Sequence, residues 1–277
     1  MRHVAILICA CVAFLAAPIR AALASELVPD EILLKMAGAD VVILGEVHDN
    51  PVHHRVQRDV VAALEPRAMV WEMLTAEGAD RINRNLISEP EKLAATIRWA
   101  ELGWPPLSMY LPIFVAAPDA PIYGALVPRE AAQGAMEAGA AVAFGADAAR
   151  YGLNVPLPAD EQASREAGQM AAHCDAMPAE KLPVLVQIQR LRDAVLTRAI
   201  LTAITETGGP VVVITGNGHA RKDWGVPSFL TRMQPGLRVF ALGQSEEGAI
   251  QGSFDAILDA PEVERDDPCA VFHKAVD

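Results

Sequence analysis

Two short stretches bring acid and imidazole side chains close together: Gly45-Glu46-Val47-His48 and Gly216-Asn217-Gly218-His219-Ala220-Arg221. A spacing of two on extended backbone puts Glu46 and His48 on the same side. A carboxylate and an imidazole so placed can bind a metal or act as acid and base. They can also be structural, with Glu46 accepting loop N–H groups and His48 capping the next helix. Two apolar runs that each end in Gly-x-x-His argue against coincidence. Glu72 stands near the end of a third apolar run, where a carboxylate must be paired or ligated. Glu46, His48, Glu72, His219 and Arg221 are therefore expected to line one cleft as catalytic groups. Glu46, His48, Glu72 and His219 are the candidate ligands of a divalent metal.

The elements that position these residues follow from hydrophobic spacing. Residues 41–44 are a continuous apolar run rich in β-branched side chains, the pattern of a strand buried on both faces of a parallel sheet. Asp49-Asn50-Pro51 then supplies a capping residue and a first-turn proline, and Val56, Val60, Val61 and Leu64 continue at helical spacing. Residues 68–73 repeat the strand pattern, 77–100 read as helical with a break at Ser88-Glu89-Pro90, and 121–127 as a third strand. Residues 211–215 are the second strong buried strand, and 237–242 and 254–258 supply late ones. Two long helical stretches, 159–174 and 183–205, are expected to build a helical insertion around 145–207. The expected architecture is a single α/β domain over residues 25–277, with a mainly parallel central sheet flanked by helices. Ligands of such sheets bind beyond the carboxyl ends of the strands, where both Gly-x-x-His motifs fall. His53 and His54 follow one turn later; adjacent helical positions point about 100° apart, so at most one is expected to face the cleft.

Residues 1–24 read as a secretory signal, with Arg2 and His3, an apolar run over 4–17 and a small-residue cleavage site at Ala22-Leu23-Ala24. Pro18 and Arg20 interrupt the apolar stretch, which falls short of the ~20 residues of a spanning helix. No transmembrane helix is expected after cleavage, and the mature chain is expected to be periplasmic or secreted. A formal charge of −12 makes the chain a poor candidate for binding nucleic acid, whose phosphates demand a basic face, and no nucleic-acid partner is expected. A hydrophobic content of 52% allows a full core and excludes wholesale disorder. The mature chain keeps Cys174 and Cys269, which an oxidising compartment permits as a disulfide or as two separate thiols.

The segments Leu44-Gly45-Glu46-Val47-His48-Asp49-Asn50-Pro51-Val52-His53-His54, Trp71-Glu72-Met73, His173-Cys174 and Ile214-Thr215-Gly216-Asn217-Gly218-His219-Ala220-Arg221, in this order and spacing, together resemble the ChaN family. That family is haem-binding and linked to iron uptake. It is similar to a wider superfamily that includes the TIKI-type metalloproteases and the erythromycin esterases. The resemblance covers nearly the whole mature chain and implies haem as the cofactor. Axial ligands are usually His, Tyr, Cys or Met. His173, Tyr110 and His54 are the candidates here, Tyr110 because residues 104–112 also look ChaN-like. Two departures stand out. Many ChaN-like proteins are lipoproteins, whereas no cysteine follows the cleavage site here, and Asp175 stands where the family pattern has Gly.

Two functions compete on this reading. The first is an exported haem-binding protein of haem or iron acquisition or trafficking, with an apolar pocket and a possible homodimer covering the macrocycle; Cys-x-x-Cys-His is absent, so attachment would be non-covalent. The second is a hydrolase that binds a divalent metal through His48, His219 and one glutamate, or uses His48 as base and Arg221 to steady an oxyanion. A third reading treats the cluster as a hydrogen-bonded remnant that holds loops in place.

Overall fold

The two strongest β-branched runs become neighbouring strands at the centre of the sheet in the computed structural model, which describes residues 27–267 and 269–270. The expected signal segment lies outside the described residues. The strands β1 (Val41–Glu46), β2 (Ala68–Trp71), β3 (Ile122–Gly124), β4 (Val211–Gly216), β5 (Val239–Glu246) and β6 (Ala256–Ala260) form one sheet in the order β3-β2-β4-β1-β5-β6. Every pairing is parallel. β1 and β4 are buried along their whole length, which is why they read as unbroken apolar runs rather than as alternating ones.

Alternation along each strand sorts the side chains into two layers. Val42 and Leu44 of β1 point into a core shared with α1 (Asp30–Ala37), α2 (Pro51–Leu64), α3 (Ala76–Asp80), α4 (Arg84–Ile87), α5 (Pro90–Thr96) and α6 (Leu107–Ala116). Val41 and Ile43 point the other way. The opposite face is covered mainly by α10 (Leu182–Thr207) and α12 (Val226–Met233), with α11 (Asn217–Ala220) between β4 and α12. Each fully buried Val, Leu or Ile in these layers contributes about 1.5–3 kcal/mol. Further out, α7 (Arg129–Ala138) and α8 (Ala140–Phe144) pack on α10 through Ala135, Phe144 and Leu191, and α9 (Ala159–Ala172) also lies against α10.

Local signals hold where their chemistry is specific. The Asn50 side chain accepts the Val52 N–H at 2.8 Å, and Pro51 opens α2. The helical reading of 77–100 resolves into three short helices, because Asn83 caps a new start by accepting the Leu86 N–H and Pro90 opens another. The helical stretch expected around 145–207 is present. Its second long helix, α10, places Leu196, Ile200 and Ala203 directly on the sheet and is the crossover between β3 and β4. Its first, α9, buries only Arg165.

Candidate functional site

The chain leaves β1 toward β2 through α2, and leaves β4 in the opposite direction toward β5 through α11 and α12. Connections that diverge from adjacent parallel strands open a crevice at their carboxyl ends. The two Gly-x-x-His motifs meet there, with Glu46 opposite Gly216 and Gly45 opposite Thr215. Each motif's glycine makes room for the other motif's polar side chain. A Cβ on Gly45 would collide with Asn217 Oδ1 and lie 2.9 Å from the Leu242 carbonyl, and one on Gly216 would lie 2.9 Å from His48 Nε2. Asn217 fills the first gap as a side-chain bridge, donating to the Gln244 carbonyl at 2.7 Å and accepting from the Gln244 N–H at 3.0 Å.

Strand parity sends the two glutamates to opposite faces of the sheet end. Glu46 follows Val42 and Leu44 into the first layer. His48 Nδ1–H donates to Glu46 Oε1 at 2.7 Å, and the Tyr110 hydroxyl donates to the same oxygen at 2.9 Å. His54 Nε2–H donates to the His48 carbonyl at 2.8 Å and lies 3.8 Å from Glu46 Oε2. Burial opposes a charge on His48, but the bond to Glu46 and the field of Glu72 outweigh it and raise its pKa to about 9. Burial and then the Glu46 charge push the Tyr110 phenol far above its ordinary range.

Glu72 follows Val70 into the second layer, held in register by its own N–H, which donates to the Ile214 carbonyl at 3.1 Å. Its Oε2 accepts the Thr215 hydroxyl at 2.7 Å and the Gly216 N–H at 2.8 Å, while Oε1 lies 3.5 Å from His219 Nε2. His219 Nδ1–H donates to Asp193 Oδ1 at 2.7 Å. Asp193, His219 and Glu72 thus form a buried acid–imidazole–acid row. Burial favours neutral His219, but Glu72 and then Asp193 raise its pKa above the ordinary value. Burial likewise favours neutral Glu72, yet His219, His48 and the two bonds from β4 bring its pKa down to about 2. Such a row can hold and pass a proton.

Both rows reach a cleft of about 600 Å³ over the strand ends. Apolar surface comes from Trp104, Val186, Trp224 and Ile250, and the basic side chains are Arg165, Arg192 and Arg221. Arg221 pairs with Asp223 and stacks 3.6 Å above the Trp224 ring. Arg165 pairs with Glu161 and donates to the Trp224 carbonyl at 3.3 Å.

The family model described as haem-binding uptake, Tiki superfamily, ChaN matches residues 32–230. The chain belongs to this family. Among solved structures, the one described as cofacial haem binding to ChaN of Campylobacter jejuni matches with a TM-score of 0.57 at 19% identity, over 80% of this chain and 87% of that one; the likeness extends to the fold. The type III effector HopBA1 matches with a TM-score of 0.43 at 11% identity, over 84% and 92% of the two chains. A succinoglycan biosynthesis protein matches with a TM-score of 0.37 at 12% identity, over 77% and 68%. Neither of these two weaker likenesses bears on function. No curated protein matches.

In this ChaN-family chain Glu46, His48, Glu72, His219 and Arg221 all line the one cleft. The expected divalent metal finds no support: among the described residues no group of three or more His, Cys, Asp and Glu side chains is placed to hold an ion. The physical reason is strand parity, which pairs Glu46 with His48 on one face and Glu72 with His219 on the other. Tyr110 as a haem ligand also needs correction, because it is 0% exposed, with its hydroxyl committed to Glu46 beneath the floor. His54 is equally enclosed. His53 is fixed as well, with Nδ1 accepting the Val47 N–H at 3.0 Å and Nε2–H donating to the Ser245 carbonyl at 3.2 Å. His173 ends α9 half-buried, one turn beyond Gln169 of the cleft lining, and its Nδ1–H donates to the Gln169 carbonyl at 2.7 Å. The adjacent Cys174 is joined to Cys269 in a disulfide. Sequence reasoning missed Asp193, Arg165 and Arg192. Asp193 had a signal, since it interrupts the apolar line Val186, Asp193, Ile200 at steps of about two helical turns.

Proposed function

We propose that this chain binds haem non-covalently and serves haem or iron acquisition outside the cytoplasm. The match of residues 32–230 to a haem-binding uptake family carries the reading. The cleft suits the ligand chemically: it joins indole and aliphatic surface to arginines, as a flat apolar ring with carboxylate arms requires. His173, one turn beyond Gln169 of the cleft lining, is the proposed iron ligand. Its Nδ1–H donates to the Gln169 carbonyl at 2.7 Å, a bond of the kind that orients a ligating imidazole. His48 and His219 are set aside as ligands because the neighbouring carboxylates favour their protonated forms, which have no lone pair for iron. The Cys174–Cys269 disulfide supports export to an oxidising compartment, and among the described residues no helix is long and apolar enough to cross a membrane. A homodimer that covers the exposed ring edge belongs to the same proposal.

Titrating the purified protein with haemin tests it. A saturable Soret shift is expected, weaker in His173→Ala and unchanged in Tyr110→Phe, with a rise in molar mass by light scattering if haem draws two copies together. Absence of any Soret change would overturn haem binding. Recovery of the full-length chain only from the cytoplasm, uncleaved, would overturn export.

A further inference from the structure

Arg192 differs from the other two arginines of the cleft. Arg165 and Arg221 are neutralised by Glu161 and Asp223. Arg192 lines the cleft half-buried, and among the described residues its side chain makes no hydrogen bond or ion pair. Its charge reaches the floor, where it acts against protonation of His219. The buried acids of the floor, Asp193 and Glu72, are committed to His219, Thr215 and Gly216. A half-buried guanidinium without a counter-charge costs free energy, and in a chain of formal charge −12 acids to pair with it are plentiful. Its isolation therefore suits an anionic partner that arrives from outside.

We propose that Arg192 is the anion anchor of the cleft and pairs with a carboxylate of a flat, largely apolar ligand seated against Trp104, Trp224 and Ile250. Carboxylate matches the planar fork of a guanidinium, which binds two oxygens at once. Val186, two helical turns before Asp193 on α10, supplies apolar surface from the same helix that presents Arg192. This rests on the haem reading for the identity of the ligand, with a haem propionate as the carboxylate, but not for the existence of the anchor.

The test compares wild type with Arg192→Gln and Arg192→Lys, using haemin, haemin dimethyl ester and metal-free protoporphyrin IX as probes. Arg192→Gln should weaken haemin binding at least about tenfold, as loss of a charge-assisted pair does. Arg192→Lys should recover part of the loss, and the dimethyl ester should bind wild type and Arg192→Gln alike. Equal haemin affinity in wild type and Arg192→Gln would overturn the anchor and leave haem binding intact. An equal loss with the ester would also overturn it, because the residue would then act on shape alone. If haemin gives no Soret change while protoporphyrin quenches tryptophan fluorescence in an Arg192-dependent way, the anchor stands and the haem reading falls. If neither porphyrin binds, both fall.

Discussion

The floor of the cleft is made of strand ends whose backbones pair on both sides, with side chains such as Glu72, Thr215, Asn217 and His219 bonded to one another or to main chain. Its outer wall, α9, is built on other terms. It buries one side chain, an arginine, and touches the rest of the chain through α10, through Arg165 on Trp224 and through the disulfide beyond its end. The segment that carries Cys269 is itself pinned across the strand ends. Asn50 donates to the Pro261 carbonyl at 3.0 Å, and Arg265 binds Asp49 at 2.7 Å and Glu246 at 2.6 Å. Apolar packing and ladder hydrogen bonds fix the floor, whereas a covalent tie and a few polar contacts fix the wall. A flat ligand would then meet one side of preset shape and one side that can yield.

Breaking the floor should have the largest effect. Glu72→Ala leaves His219, Thr215 and the Gly216 N–H without their acceptor in a buried place, and should cost about 3–5 kcal/mol in urea unfolding. A loss below about 1 kcal/mol would mean that water replaces the carboxylate and that the floor is no more rigid than the wall. Removing the tie comes next. Cys174→Ser should cost about 2–4 kcal/mol, since the bond spans a sequence separation of 95. Hydrogen exchange should rise more across α9 than in β1 and β4; equal acceleration in all three would erase the contrast between the regions. Tyr110→Phe is milder. Glu46 keeps its bond from His48, so about 1 kcal/mol should be lost.

The contrast also explains what could be read in advance. β1 and β4 announce themselves because strands buried on both faces are apolar throughout, and the Gly-x-x-His signal survives because each glycine is required by a side chain of the other motif. Placing Glu46 and Glu72 in one cleft was legible from their positions at strand ends. That they arrive from opposite faces was not, since it depends on the parity of β2 against β1, set by pairing with β4. Asp193 comes from a helix more than a hundred residues from Glu72, and only the crossover of α10 brings them together. The wall was least legible. α9 buries no apolar side chain, and nothing in the spacing of Cys174 and Cys269 reveals that their Cα atoms lie 5.5 Å apart.

The response to pH separates the two regions most sharply. Burial works against charged His48, yet Glu46 and Glu72 lift its pKa from 6.5 to about 9, so its share of stability is complete below pH 6.5 and disappears as the pH rises through 9. His219 is raised as well and acts in the same direction. Glu72 runs the opposite way. Burial notwithstanding, His219 and His48 hold it at about 2 against an ordinary 4.5, so its share is complete above pH 4.5 and is lost as the pH falls toward 2. The floor should therefore be strongest between pH 4.5 and 6.5 and should weaken on both sides. Melting temperature should decline by a few degrees from pH 6.5 to 9, and His48→Gln should flatten part of that decline, with His219 supplying the remainder. After correction for the intrinsic rate, exchange in α9 should not follow the same curve, because it is tied by a disulfide and by Arg165 rather than by the histidines and Glu72 of the floor. An undiminished slope in His48→Gln would remove the histidine from the floor's stability, and a matching pH curve in α9 would show that floor and wall open as one unit.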